Sequence, residues 1–208
     1  MVWSAENATR AYLCTLKSRN KGTEPDVAEF VSALAAGSGA RLMVEACSGP
    51  AGPTTLALAA AAQQTEGARV VCVVPKPGSA AAFEASNSVE IVVGDAAGLL
   101  ADRYKGADFV LVDCELEGQE RLFNAAVASV EGCGGVVVGY NAFSCDSSSW
   151  GGVGGVRVDL LPIGGGLRVC RVPARSARTS QWVVRVDECT GEEHVYRITS
   201  PRTRSAAA

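Results

Sequence analysis

The order of apolar and polar positions divides the chain into regular elements. Ala8, Ala11, Tyr12, Thr15 and Leu16 recur at helical spacing, with Ser4 placed to cap the helix and Glu6 at its positive end. Thr23-Glu24-Pro25-Asp26 predicts a second helix start, since a first-turn proline gives up only an N–H without an intrahelical partner. Val27, Phe30, Val31 and Leu34 form that helix's apolar face, and Gly37-Ser38-Gly39 ends it. From Arg41 the pattern alternates. Strands are predicted at 41–45, 69–74, 89–93, 107–112 and 135–138, separated by helices at 54–63, 79–86, 98–104 and 119–130. The runs VVCVV, FVLV and VVVG are continuously apolar, as parallel strands covered on both faces should be. Strands at 156–159 and 166–171 pair about Leu161-Pro162-Ile163-Gly164-Gly165. A last pair, 181–187 and 194–198, forms an antiparallel hairpin across Thr190-Gly191-Glu192. The class is α/β, a mostly parallel sheet with helices on both faces. Residues 1–172 are expected to form the main domain and 173–199 a hairpin extension of it, with 200–208 a disordered tail.

Composition narrows the function classes. With 208 residues and 48% hydrophobic content the chain can build one substantial core. A net charge of −3, with no basic cluster before the tail, leaves no electrostatic footprint for nucleic acid. No apolar run reaches the length of a membrane span, and Met1-Val2-Trp3-Ser4-Ala5-Glu6 lacks signal-peptide character, so a cytoplasmic protein is expected. The eight cysteines are scattered without a C-x-x-C pair and read as reduced core thiols. Cys47 and Cys114 stand apart because both fall at strand ends. The single histidine, His194, gives a Cys/His zinc site little material and reads as a surface strand residue.

Candidate chemistry concentrates after the first strand. Leu42 to Thr55 reads as strand, glycine-bearing turn and helix, the arrangement that holds nucleotide-like ligands at the carboxyl end of a parallel strand. Ser48, Gly49 and Gly52 supply donors and open space there. Pro50 and Pro53 stiffen the same turn and remove two N–H groups. The glycine-rich 150–155 segment is a weaker phosphate cradle, because no helix follows it.

The segments ADFVLVDCE, EGCGGVVVGYNAF and LPIGGGLRVCRV resemble the patterns DFxFxDAD, VGGIVxxDN and LPIGDGxxxxRR of cation-dependent O-methyltransferases acting on catechols and caffeoyl-CoA. These are class I enzymes using S-adenosyl-L-methionine. The resemblance implies a Rossmann-like, seven-stranded methyltransferase fold. Over nearly its whole length, including the WS-x-E-x-A-x-x-A-Y start and the TGEEHVYR end, the chain is more similar to a plant methyltransferase-like family of unknown function, DUF1442. That family brings no established reaction.

By this resemblance Glu45, Ser48, Gly49, Gly52, Gly94, Asp95 and Asp113 surround S-adenosyl-L-methionine. Asp95 would read the adenine amino group or else cap the next helix. Asp113 and Asn141 take the catalytic positions, with Phe143 toward the acceptor. Several expected groups are replaced. Cys47 stands where the first turn glycine belongs. Val73-Val74-Pro75-Lys76 carries no ribose-binding acid at the second strand's end. Such a charged hydrogen bond is worth roughly 1.5–3 kcal/mol, or about 10- to 150-fold in affinity. Tyr140 replaces a metal carboxylate and Leu116 a lysine base, so a divalent cation has only Asp113, Asn141 and Glu115 to hold it. A small-molecule methyltransferase is the leading reading. The alternatives are an inactive scaffold and a binder of another nucleotide or an acyl-CoA, for which Lys76 offers a positive charge. The two leading helices and the terminal hairpin are candidate surfaces for a homodimer or protein partner.

Overall fold

The computed structural model describes residues 3–18, 26–77, 89–144, 156–174, 180–186 and 193–199. The predicted helix at 79–86, the glycine-rich 150–155 segment and the 200–208 tail lie outside them. The chain divides into two compact units, Met1–Ala174 and Arg175–Ala208.

In the first unit, helices α1 (Ala5–Ser18) and α2 (Val27–Gly37) precede strand β1 (Leu42–Ala46), helix α3 (Pro53–Ala62) and strand β2 (Arg69–Val74). Then come β3 (Val89–Val93), α4 (Ala96–Ala101), β4 (Phe109–Asp113), α5 (Gln119–Val130) and β5 (Gly135–Tyr140). A 3-10 turn at Ala142–Ser144 leads on to β6 (Val158–Leu161) and β7 (Leu167–Val172). The sheet has the order β3-β2-β1-β4-β5-β7-β6, with β7 antiparallel to both neighbours and the β1–β5 pairings parallel. It is a Rossmann-like fold with the strand order reversing between β1 and β4. At such a switch point the connections leave in opposite directions and open a crevice at the carboxyl edge.

Side-chain alternation along the strands makes two cores. Met43, Val70, Cys72, Phe109, Leu111 and Val136 face the layer of α1, α2 and α3. Val44, Val71, Val110, Val112 and Val137 face α4 and α5. The alanine run of α3 keeps its side chains short, so the helix lies close to the sheet, with Ala57, Ala61 and Leu58 fully buried. The first helix starts as the sequence predicts, whereas the second begins at Val27 with Asp26 as its cap, so Pro25 precedes the helix instead of lying in its first turn. Ser4 Oγ accepts from Asn7 N at 3.3 Å, and Asp26 N donates to Glu29 Oε2 at 2.8 Å.

Element ends shift where side chains compete with the ladder. β4 begins at Phe109, because the Asp108 carboxylate turns aside to accept from Arg41 N and Leu42 N at 2.9–3.0 Å. α4 starts at Ala96 and ends at Ala101, ahead of the predicted 98–104. Asp95 caps it through Gly98 N at 3.2 Å, and Tyr104 folds into the core. β5 runs two residues beyond its predicted end because Tyr140 is in register with both Asp113 and Leu167.

In the second unit, β8 (Ser180–Val186) and β9 (Glu193–Thr199) form the predicted antiparallel hairpin.

Candidate functional site

The carboxyl edge at the switch point gathers the turn after β1, the ends of β4 and β5, and the starts of α3 and α4. Its centre is Asp113, the last residue of β4, only 4% exposed. One carboxylate oxygen accepts from the Ser48 hydroxyl and from Ser48 N at 3.3 Å. The other accepts from Glu115 N at 3.1 Å and Asn141 Nδ2 at 3.0 Å. Four donors thus converge on one carboxylate, and three strand ends are tied through it.

Asn141 follows β5 with φ of 58°, a left-handed conformation that asparagine tolerates better than most side chains. This turns its amide back onto Asp113. Opposite it, the Leu161–Leu167 turn approaches so closely that a Cβ on Gly165 would lie 3.0 Å from Asn141 Oδ1. Phe143 is 58% exposed on the rim, stacked toward Gly166.

Glu45, in the sheet interior, is fully buried and faces α3. Its carboxyl oxygens accept from Thr54 Oγ1 at 2.5 Å and Thr55 Oγ1 at 2.6 Å. Burial pushes its pKa upward against the lowering effect of these hydroxyls. Thr55 Oγ1 also accepts from Gly52 N at 3.1 Å, which fixes the entry to α3. Beside it Cys47 Sγ lies 3.3 Å from Cys72 Sγ, and contact with Cys72 together with burial drives the Cys47 thiol upward. No disulfide joins the described cysteines.

Two recesses flank the turn. One, about 200 Å³, lies over the ends of β2 and β3 and is lined by Cys47, Pro75, Gly94, Asp95, Glu117 and Arg121. The other, about 320 Å³, is lined by Asp26, Gly52, Thr54, Tyr140, Asn141 and Gly165. Asp95 serves as the α4 cap and pairs with Arg121 at 2.8 Å, with both side chains mostly exposed. Tyr140 is pushed well above the usual phenol range, by burial first and by Glu45 second. Ser48 and Gly49 are half-buried between the recesses, and a Cβ on Gly49 would meet nothing within 4 Å.

The structure therefore brings Ser48, Asp113 and Asn141 into direct contact, puts Gly94 and Asp95 on one recess and Gly52 on the other, and turns Glu45 inward. Thr54, Thr55, Arg121 and Cys72 were not singled out by sequence. Two threonines opening an alanine helix, two and three residues after Gly52, were the available signal for the first pair. Nothing local marks Arg121 or Cys72, whose partners are distant in sequence.

The sequence matches the family described as "Protein of unknown function (DUF1442)" over residues 1–198. The chain belongs to that family. No curated protein matches this DUF1442 chain. Solved structures share its fold. A methyltransferase from Geobacter sulfurreducens superposes with a TM-score of 0.60 at 16% identity, covering 81% of this chain and 90% of its own. An O-methyltransferase from Bacillus cereus in complex with S-adenosylhomocysteine gives 0.57 at 16% identity, covering 83% and 93%. The O-methyltransferase TomG from Streptomyces achromogenes, in complex with S-adenosyl-L-methionine, gives 0.53 at 18% identity, covering 84% and 92%. Among the described residues no helix of the DUF1442 chain is long and apolar enough to cross a membrane.

Proposed function

We propose that this chain binds S-adenosyl-L-methionine along the turn from Cys47 to Thr54 and passes its methyl group to a small molecule. The supporting observation is the pair of recesses on either side of one turn at the carboxyl edge. An elongated nucleoside with an amino-acid tail needs that shape, with the adenosine over Gly94 and Asp95 and the tail toward Gly52 and Thr54.

The residues suit this cofactor in part. Asp95 presents a carboxylate at the mouth of the first recess, and exposed Glu117 offers a second acceptor where Pro75 supplies none. When bound, S-adenosyl-L-methionine supplies an electrophilic methyl group on its sulfonium. Ser48, Asp113 and Asn141 hold the backbone of the turn and of the β5 end rigid beside it. In-line transfer depends mainly on such positioning, which supplies a large share of the rate when the acceptor is already nucleophilic.

A divalent cation does not fit the donor set. Both Asp113 oxygens are occupied by four donors, and Asn141 turns its NH₂ rather than its carbonyl toward them. With Tyr140 replacing a carboxylate, hard-cation coordination would have to break this network. No step is assigned to a metal at Asp113.

The same saturation favours a second reading, a nucleoside-binding protein without transferase activity, since the Asp113 carboxylate, committed to four donors, is not placed to take an acceptor's proton. The two readings separate in one experiment. Calorimetry with S-adenosylhomocysteine tests binding, and incubation with methyl-labelled S-adenosyl-L-methionine and a panel of phenols and thiols tests transfer. Binding with transfer supports the first reading, binding alone the second. Absence of binding removes both.

A further inference from the structure

Parallel pairing sets Glu45 opposite Cys72 across β1 and β2, and Cys47 follows two residues on along the same face of the sheet. The result is a compact, buried trio. One ligand atom from each of Glu45, Cys47 and Cys72 lies within 4.8 Å of the others, and no other such group of three His, Cys, Asp or Glu occurs among the described residues. We propose that these three residues form a site for a thiophilic divalent cation, with zinc the natural occupant, at the root of the turn.

The donor chemistry selects the ion. Two thiolates and one carboxylate match the borderline-soft preference of zinc, whereas magnesium and calcium require mainly oxygen. Three protein ligands leave the fourth tetrahedral position to water. The Glu45 carboxyl is already oriented by Thr54 and Thr55, the kind of outer contact that fixes a ligand's direction. Binding exchanges two S–H bonds for two S–Zn bonds, and the two thiol protons leave to buffer.

Distances separate this site from a redox pair. Two sulfurs on one zinc, each about 2.3 Å away at a tetrahedral angle, sit about 3.8 Å apart. Here they are 3.3 Å apart, so coordination needs an opening of about half an ångström. A disulfide needs closure to about 2.05 Å and Cα atoms within about 6.8 Å. A strand spacing of about 4.8 Å and a two-residue offset of about 6.6 Å put these Cα atoms about 8 Å apart. The backbone opposes the disulfide and accommodates the ion.

The site shares Cys47 and Thr54 with the turn proposed to hold the cofactor, but it has its own measurement. Metal-stripped full-length protein is titrated with Zn²⁺ against a chromophoric chelator, and with Cd²⁺ by its ultraviolet sulfur-to-metal charge-transfer band. One equivalent should bind with thiolate absorption. Cys72→Ala and Cys47→Ser should each weaken binding by more than about 100-fold, and Thr54→Val by about 10- to 100-fold. Cys133→Ser, which alters an exposed thiol, should bind as wild type. Circular dichroism establishes that each variant is folded, and Glu45→Gln serves as the ligand variant if a cysteine change prevents folding. No saturable binding to folded wild type, unchanged affinity in folded Cys72→Ala or Glu45→Gln, or a Cys47–Cys72 disulfide formed in place of binding would each overturn the proposal.

Discussion

Asn141 Nδ2 donates to Asp113 Oδ1 at 3.0 Å, linking the end of β5 to the end of β4 at the reversal of strand order. This contact, with those from Ser48 and Glu115 N, makes Asp113 the knot of the carboxyl edge. Asp113→Ala leaves four donors without their acceptor in a nearly closed space, and should cost at least about 2 kcal/mol. Ser48→Ala removes one donor and should cost only about 1 kcal/mol. Urea unfolding of both variants measures the ordering. Equal small losses would mean that water satisfies the edge and that Asp113 ties nothing.

Asp95 has two separable roles. As the cap of α4 it should contribute about 1 kcal/mol, lost in Asp95→Ala. Its pair with Arg121 joins two mostly exposed side chains and should contribute less than about 1 kcal/mol, so Arg121→Ala is nearly neutral. If Asp95 also holds the adenosine, Asp95→Ala weakens S-adenosylhomocysteine by about 10-fold or more while Arg121→Ala changes it little. Calorimetry on the two variants distinguishes capping from ligand contact.

The turn before β7 is set by Gly164 (φ +54°), where a Cβ would sit 2.5 Å from Asp26 Oδ1 and 2.6 Å from Val27 Cγ2. Left-handed backbone with a side chain costs about 1–2 kcal/mol before any clash. Gly164→Ala should therefore lower the melting temperature and loosen the start of α2. An unchanged melting temperature and unchanged hydrogen exchange at Val27 to Phe30 would contradict the close approach.

Asp108 gives a pH dependence whose sign follows from its setting. Burial raises its pKa from the ordinary 3.8, and the Arg41 and Leu42 N–H groups only partly offset this. The folded state then holds the proton more tightly than the unfolded one. Its contribution is present below the unfolded value and is lost as pH rises through the raised folded value. Asp108→Asn removes this dependence. In chemical unfolding series starting near pH 4, the margin of wild type over the variant should narrow as pH rises, and a widening margin would reverse the assignment.

Most of the architecture was readable because buried parallel strands are continuously apolar. VVCVV, FVLV and VVVG lie in β2, β4 and β5, and Asp95 caps a helix as its side chain suggests. The ends were less readable. Asp108 leaves its strand to serve the neighbouring one, and Tyr104 turns into the core after α4; both depend on partners far along the chain. The site divided in the same way. The turn after β1 was legible from Ser48, Gly49 and Gly52. The saturation of Asp113, the threonine clamp on Glu45 and the contact of Cys47 with Cys72 depend on side-chain directions that only the sheet register fixes.

The most direct test of the account is calorimetric titration of metal-stripped protein with S-adenosylhomocysteine, repeated with Mg²⁺, and paired with thermal unfolding. One-to-one binding that Mg²⁺ leaves unchanged is expected. At 100 times the dissociation constant it should stabilise the fold by about 2.7 kcal/mol, a melting shift of roughly 5–10 °C. No heat and no shift at millimolar ligand would contradict the cofactor site, and binding that requires Mg²⁺ would contradict the saturated role given to Asp113.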